Sequence, residues 1–244
     1  MVTGASSIMC AIIGVVLNKP TISDFELVKR VFLESGIRGL HATGMSFLPN
    51  WSKKIETIIE SKPASYFVDT HFHNDNFSDM LNEDGNLYLI GHCRYSTSDL
   101  EYNQPISNEN ISIVHNGVMS QELPEKWEDL YGYITKTKND SELLLKTIEE
   151  GKEPLLEWQN SSISAIELHL QSKSLIYYRN GKRPIYHSKL DNGVIITSTL
   201  DIMTRASSGK ITAQEINKDV KVKYDGNFFT EGELFTETLD LQNA

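Results

Sequence analysis

Only two cysteines, Cys10 and Cys93, occur in 244 residues, which makes a disulfide framework untenable. No apolar run approaches the roughly 20 residues that span a bilayer, so no membrane association is expected. Met1 to Met9 contain no Lys or Arg and no long apolar core, and do not read as a secretory signal. Basic residues are outnumbered, 23 against 33 acids. The net charge of -10 argues against nucleic acid as a partner, because binding its backbone needs a basic surface. Neither G-x-x-x-x-G-K-[ST] nor G-x-G-x-x-G is present, so nucleotide binding has no support. His71, His73, His92 and His115 match no ligand spacing, and neither metal nor cofactor is expected. A reducing, cytoplasmic compartment fits these absences, and it leaves a lone cysteine free for chemistry.

What is present reads as one globular domain, with 39% hydrophobic and 23% charged residues. The run from Ala11 to Leu17 is short and rich in β-branched residues, as a buried strand requires. Ser23 is placed to cap a helix whose apolar residues Phe25, Leu27, Val28, Val31 and Phe32 recur at helical spacing. Strands are expected at 45–48, 87–90 and 111–114, a helix and an unassigned polar stretch within 52–81, and a helix after Asn139. From residue 162 onward, short alternating segments read as antiparallel sheet, with hairpin signals at Asn180-Gly181 and at Asp191-Asn192-Gly193. After Lys223 the chain has no Lys or Arg and five acids, so residues 226–244 are expected to form an acidic, solvated tail. The class is α+β.

Five segments bear on chemistry. They are Cys10-Ala11-Ile12-Ile13-Gly14; Arg38-Gly39 with Gly44; Gly91-His92-Cys93-Arg94-Tyr95-Ser96-Thr97; His115-Asn116-Gly117; and Asn139-Asp140-Ser141-Glu142. Singly, each has a plain structural explanation. A cysteine at a strand edge is a small hydrophobe, Asn-Gly is a turn, an arginine forms a surface ion pair, and an aspartate caps a helix.

Together, in this order and spacing, they resemble the class II glutamine amidotransferases, over about residues 9–225. The Arg-Tyr-Ser-Thr form is most similar to the glutaminase domain of glutamine phosphoribosylpyrophosphate amidotransferase. Arg179-Asn180-Gly181-Lys182-Arg183-Pro184-Ile185 is similar to the family's Asp-x-x-Gly-x-Arg-Pro-Leu segment. The resemblance implies an N-terminal nucleophile hydrolase fold: a four-layer αββα sandwich with two antiparallel sheets between helices.

It also implies roles. Cys10 would attack the side-chain amide of free L-glutamine, form a γ-glutamyl thioester and release ammonia. A thiol is mostly protonated at neutral pH, but an N-terminal cysteine carries a base, its own α-amine, of reference pKa about 7.7–8.0. Asn116 and the Gly117 N–H would form the oxyanion hole. Arg94 would grip the α-carboxylate with parallel donors, and Asp140 the α-ammonium. Tyr95 and Thr97 would wrap the substrate, and Arg38 would support the site.

Ala11, His41 and Thr43 depart from the family's commoner residues. Nine residues precede Cys10, so its amine is blocked in the chain as written. Translation from Met9, self-cleavage of a propeptide and a foreign extension that leaves the domain inactive are the three explanations. The expected organisation is a leader or propeptide at 1–9, a glutamine amidotransferase type 2 domain at 10–225 and a tail at 226–244. The expected function is a glutaminase that supplies ammonia to a separate synthase or ligase. A catalytically silent regulatory or binding subunit is the alternative.

Overall fold

Strands that are apolar at every position, rather than at alternate ones, are buried on both faces. The first such strand, β1 (Ala11–Leu17), is fully buried along its length. In the computed structural model, which describes residues 10–96 and 101–233, it lies at the centre of a seven-stranded sheet. With it run β2 (Ala42–Phe47), β3 (Glu56–Glu60) and β4 (Leu87–Arg94). A second sheet of six strands begins with β5 (Ile106–Ser107), β6 (Ile111–His115), β7 (Ser164–His169) and β8 (Ser174–Arg179). The chain then returns to the first sheet with β9 (Tyr186–Leu190), β10 (Gly193–Thr197) and β11 (Gln214–Glu215), and closes the second with β12 (Val220–Tyr224) and β13 (Phe229–Glu233). The orders are β11-β9-β10-β1-β4-β2-β3 and β13-β12-β8-β7-β6-β5, and every paired strand in them is antiparallel.

The alternation of β1 divides the core. Ile12 and Val16 meet Val114, Ile166 and Tyr177 of the second sheet. Ile13, Val15 and Leu17 meet the helical layer made by α1 (Ile22–Gly36) and α2 (Ala64–His71), with a later helix, Leu200–Ala206, beside them. In that layer Phe32 lies 5.0 Å from Phe72 and 6.1 Å from Phe67, ring centre to ring centre. Truncating such a ring to alanine costs about 3–5 kcal/mol. On the far side α3 (Trp127–Tyr131), α4 (Ser141–Glu149) and α5 (Pro154–Glu157) belong to a third core, in which Leu143, Leu144 and Leu155 cover Ile113, Ala165 and Tyr178. The result is the four-layer αββα arrangement, with α6 (Leu200–Ala206) completing the first helical layer.

Several local expectations are corrected. Thr21, not Ser23, caps α1: its hydroxyl accepts from Asp24 N at 3.2 Å while Thr21 N donates to the Asp24 carboxylate at 2.7 Å. That reciprocal box needs a partner three residues on, which Thr21 has in Asp24. Within residues 52–81 the one expected helix is α2, and the unassigned stretch resolves into β3 and a 3-10 segment over Asn74–Met80. Helix α6 interrupts the expected run of strands. It is short, and its buried Ile202, Met203 and Ala206 are too few to announce a helical period. The Asp191-Asn192 hairpin forms between β9 and β10, but Asn180-Gly181 carries the chain from β8 in one sheet towards β9 in the other. A turn signal fixes a reversal, not the partner that follows it. The fold also continues past the expected boundary at 225, because β13 pairs with β12 and Phe229 stacks on Tyr224 at 4.4 Å. The expected leader at 1–9, Thr97 and the stretch 234–244 lie outside the described residues.

Candidate active site

Strand register brings Cys10, Arg94, Asn116 and Gly117 to one end of the sandwich. β1 pairs Ala11 with Cys93 and Ile12 with His92, so Cys10, one residue before the strand, comes opposite Arg94. Alternation then turns Cys10, His92 and Arg94 towards the gap between the sheets and Cys93 towards the helices. The two cysteines therefore differ in kind. Cys93 is wholly buried, and burial pushes its thiol up to about 12. Cys10 is partly exposed. Burial raises its thiol above the ordinary range, and the positive charges of Arg94 and Arg38 oppose that rise.

A cleft of about 320 Å³ has Cys10, Arg94, Gly117, Asn139 and Asp140 on its wall. Asn116 lies directly behind Gly117 and is 4% exposed. Its side-chain nitrogen has no hydrogen-bond partner among the described residues. The amides of Asn116 and Val118 donate to Ser164 O (2.8 Å) and Ser162 O (3.0 Å). Successive amides of an extended chain point to opposite edges, so the Gly117 N–H between them is turned away from β7. Only glycine fits there: a β-carbon on residue 117 would lie 1.7 Å from Ser162 O.

Asp140 stands at the head of α4, yet its carboxylate does not cap the helix. It reaches across to accept from Met119 N at 2.6 Å and Ser120 N at 3.4 Å. Asn139 takes the local turn instead, accepting from Ser141 N at 3.1 Å. Arg94 Nη1 donates to Tyr102 O (2.6 Å) and to Asn103 Oδ1 (2.8 Å), and Asn139 Nδ2 donates to the same Tyr102 O at 3.0 Å. Tyr95 turns its carbonyl towards the Cys10 thiol, 3.7 Å away. Arg38 follows α1 and is close enough to Cys10 to act on its charge, but it is not on the cleft wall.

The structure adds residues that spacing alone does not single out. Gln104 clamps the site: its side chain accepts from His115 N at 2.6 Å and donates to His115 O at 3.1 Å and to Ser141 Oγ at 3.0 Å. Gly44 of β2 makes room for the Gln104 carbonyl, which a β-carbon would meet at 2.2 Å. His115 is tied at both nitrogens, to Ser162 O and to Ser141 Oγ, each at 3.0 Å. A carbonyl only accepts, so Nε2 carries the proton and Nδ1 accepts from the serine. The backbone leading into Asn116-Gly117 is thereby fixed. His41, a departure from the family pattern, accepts from Ser96 N at 2.9 Å and packs on the Tyr95 ring at 4.8 Å. A glutamine in a polar loop carries no signal of such a task; its neighbours are defined only once both sheets are in place.

Burial holds both interior histidines neutral, His92 down to about 3 and His115 also below its ordinary value. Below pH 6.5 the unfolded chain would bind the His92 proton that the folded chain refuses. His92's share of stability is therefore complete above 6.5 and lost as pH falls towards 3, by about 1.4 kcal/mol per unit. Unfolding free energies from urea titrations at pH 7 and 5 should differ by about 2 kcal/mol on this account, and a His92→Asn variant should show a flatter acid limb.

Among the described residues no group of three His, Cys, Asp or Glu side chains is placed to hold a metal, and no helix is long and apolar enough to cross a membrane.

Comparison with known proteins agrees with this fold. Glutamine–fructose-6-phosphate aminotransferase [isomerizing] of Sulfurisphaera tokodaii is 27% identical over 207 residues, covering 77% of this chain and 31% of that protein. Its counterpart in Sulfolobus acidocaldarius is 25% identical over 195 residues, with the same coverage. The chain thus spans about a third of the length of the curated relatives it matches. In fold it resembles glutamine phosphoribosylpyrophosphate amidotransferase from B. subtilis, solved with ADP and GMP (TM-score 0.64, 16% identity, 92% of this chain and 49% of that one). It also resembles a glutamine aminotransferase class-II domain protein from Silicibacter pomeroyi (TM-score 0.52, 14% identity), of which it covers 98%. The family profile of the glutamine amidotransferase domain matches residues 76–231, and the chain belongs to that family, with the two-sheet fold of the N-terminal nucleophile amidotransferases.

Proposed function

We propose that this domain hydrolyses the side-chain amide of free L-glutamine, with Cys10 as nucleophile once residues 1–9 are removed. The observation that carries the reading is the convergence of Cys10, Arg94, Gly117 and Asp140 on one cleft, from both sheets and the head of α4. The freed α-amine of Cys10 takes the thiol proton, and Sγ attacks the amide carbon. The Gly117 N–H and the Asn116 side chain stabilise the oxyanion. Collapse expels ammonia and leaves a γ-glutamyl thioester, which water hydrolyses to glutamate. Arg94 holds the α-carboxylate and Asp140 the α-ammonium, with Tyr95 and Thr97 enclosing the substrate and Arg38 favouring the thiolate. The ammonia passes to a synthase or ligase unit outside these 244 residues.

The deciding experiment is glutamate release from L-glutamine by protein that starts at Cys10. No glutamate above the Cys10→Ala background would sink the hydrolase and leave the binding-subunit alternative. Arg94→Lys should raise KM for glutamine about tenfold to a hundredfold with little change in kcat, because a point charge replaces a planar pair of donors. Steady-state kinetics checks it.

A further inference from the structure

We propose that His92 is a positioning residue that holds the water which hydrolyses the Cys10 thioester. The inference rests on the glutamine-hydrolysing reading above.

His92 lines the cleft with Cys10 and is 1% exposed. Neither of its ring nitrogens has a hydrogen-bond partner among the described residues. The His115 backbone carbonyl lies close enough to one ring nitrogen to favour its protonated form, short of strict hydrogen-bond geometry, and it already accepts from Gln104 Nε2. Buried polar atoms are nearly always bonded to something. The nitrogen that His115 does not face takes its partner from what enters the cleft.

Register says where that partner sits. His92 pairs with Ile12 on β1, and Cys10 is two residues before Ile12, so the two side chains are diagonal neighbours on one face. Such diagonal pairs have backbones roughly 7–8 Å apart, a gap that one small molecule between the side chains can bridge.

The chemistry selects water. Glutamine's polar groups are matched, in the proposed reading, by Arg94, Asp140, Asn116 and Gly117. The hydrolytic water is the one reactant without a holder. A neutral imidazole offers one N–H and one lone pair, which suits a molecule that both accepts and donates. Because burial keeps the ring neutral, it orients the water and does not serve as the base. The water oxygen bonds to the thioester carbon, the C–S bond breaks, and its electron pair returns to Sγ. The water proton passes to the Cys10 α-amine and then to the thiolate, giving glutamate and free thiol.

The experiment uses protein starting at Cys10, as wild type, His92→Leu and His92→Asn. Ammonia and glutamate are followed through the first turnover, and the thioester is measured by intact mass after acid quench. The expected result for His92→Leu is an ammonia burst near the wild-type rate, glutamate release slowed about tenfold to a hundredfold, and accumulated thioester. His92→Asn, which keeps one donor and one acceptor, should recover part of the loss. Hydroxylamine, a nucleophile strong enough not to need positioning, should cleave the thioester equally fast in all three. Should ammonia and glutamate slow together, or neither slow, in whichever variant folds, the water-holding role is overturned while the glutamine reading stands. A wild-type protein that forms neither thioester nor glutamate would take both down.

Discussion

Replacing Cys10 by serine in protein that starts at that residue should lower glutamate release from glutamine by about a thousandfold or more, as loss of a catalytic nucleophile does elsewhere. The change is nearly isosteric, so the fold and the glutamine site should persist. What is lost is nucleophilicity: a thiol near neutral pH supplies a few per cent of thiolate, whereas a hydroxyl supplies almost none. The matching control is Cys93→Ser. Cys93 lies on the opposite face of the first sheet, with its thiol 3.9 Å from Phe32 O and raised to about 12 by burial. Its replacement should disturb packing and leave the mechanism alone, so kcat should stay within about threefold of wild type. Equal losses from the two changes would show that cysteine chemistry at residue 10 is not the source of the activity.

The second large effect is expected at Gly117. A methyl group there would lie 1.7 Å from Ser162 O and 2.7 Å from His115 Nε2, closer than any real contact. Backbone has to move, and the Val118–Ser162 bridge that holds the ends of β6 and β7 together would open. Gly117→Ala should therefore cost roughly 2–4 kcal/mol of stability, read from the urea midpoint. In the fraction that stays folded, the displaced N–H should lower kcat about a hundredfold to a thousandfold, the cost of removing one oxyanion donor. Serine at 117 should behave no better, because the obstacle is any β-carbon. A stable, active Gly117→Ala protein would contradict the close approach of Ser162.

How much of this is legible in the sequence depends on what kind of force fixes each part. β1 and the first half of β4, residues 87–90, are plain in the sequence because strands buried on both faces run apolar, and β6 is marked by its β-branched Ile111, Ile113 and Val114. The β9–β10 hairpin is equally plain because Asp191-Asn192-Gly193 reverses the chain in two residues. Cys10, Arg94, Asn116, Gly117 and Asp140 could be singled out as a set because their order is a family pattern; their convergence on one end of the sandwich follows from register. By contrast α6 has three buried residues on a helix of seven, too short a period to outvote the strands around it. Gln104, Ser141 and His41 act through contacts with residues distant in sequence. Asp140 shows the subtlest case: its place at the head of α4 predicts a cap, and the carboxylate is drawn off instead by two amides of the 119–120 loop.

The carbonyl of Tyr102, accepting from both Arg94 and Asn139, has a consequence for selectivity. Asn139 is the neighbour of Asp140, so one peptide unit ties the group proposed for the α-carboxylate to the one proposed for the α-ammonium. In a free amino acid those two charges hang from a single carbon, and their separation cannot vary. The domain would thus measure its substrate with a gauge one peptide wide. A glutamine inside a longer chain, which has lost at least one of the two charges, would fail the measurement before its amide ever reached the thiol.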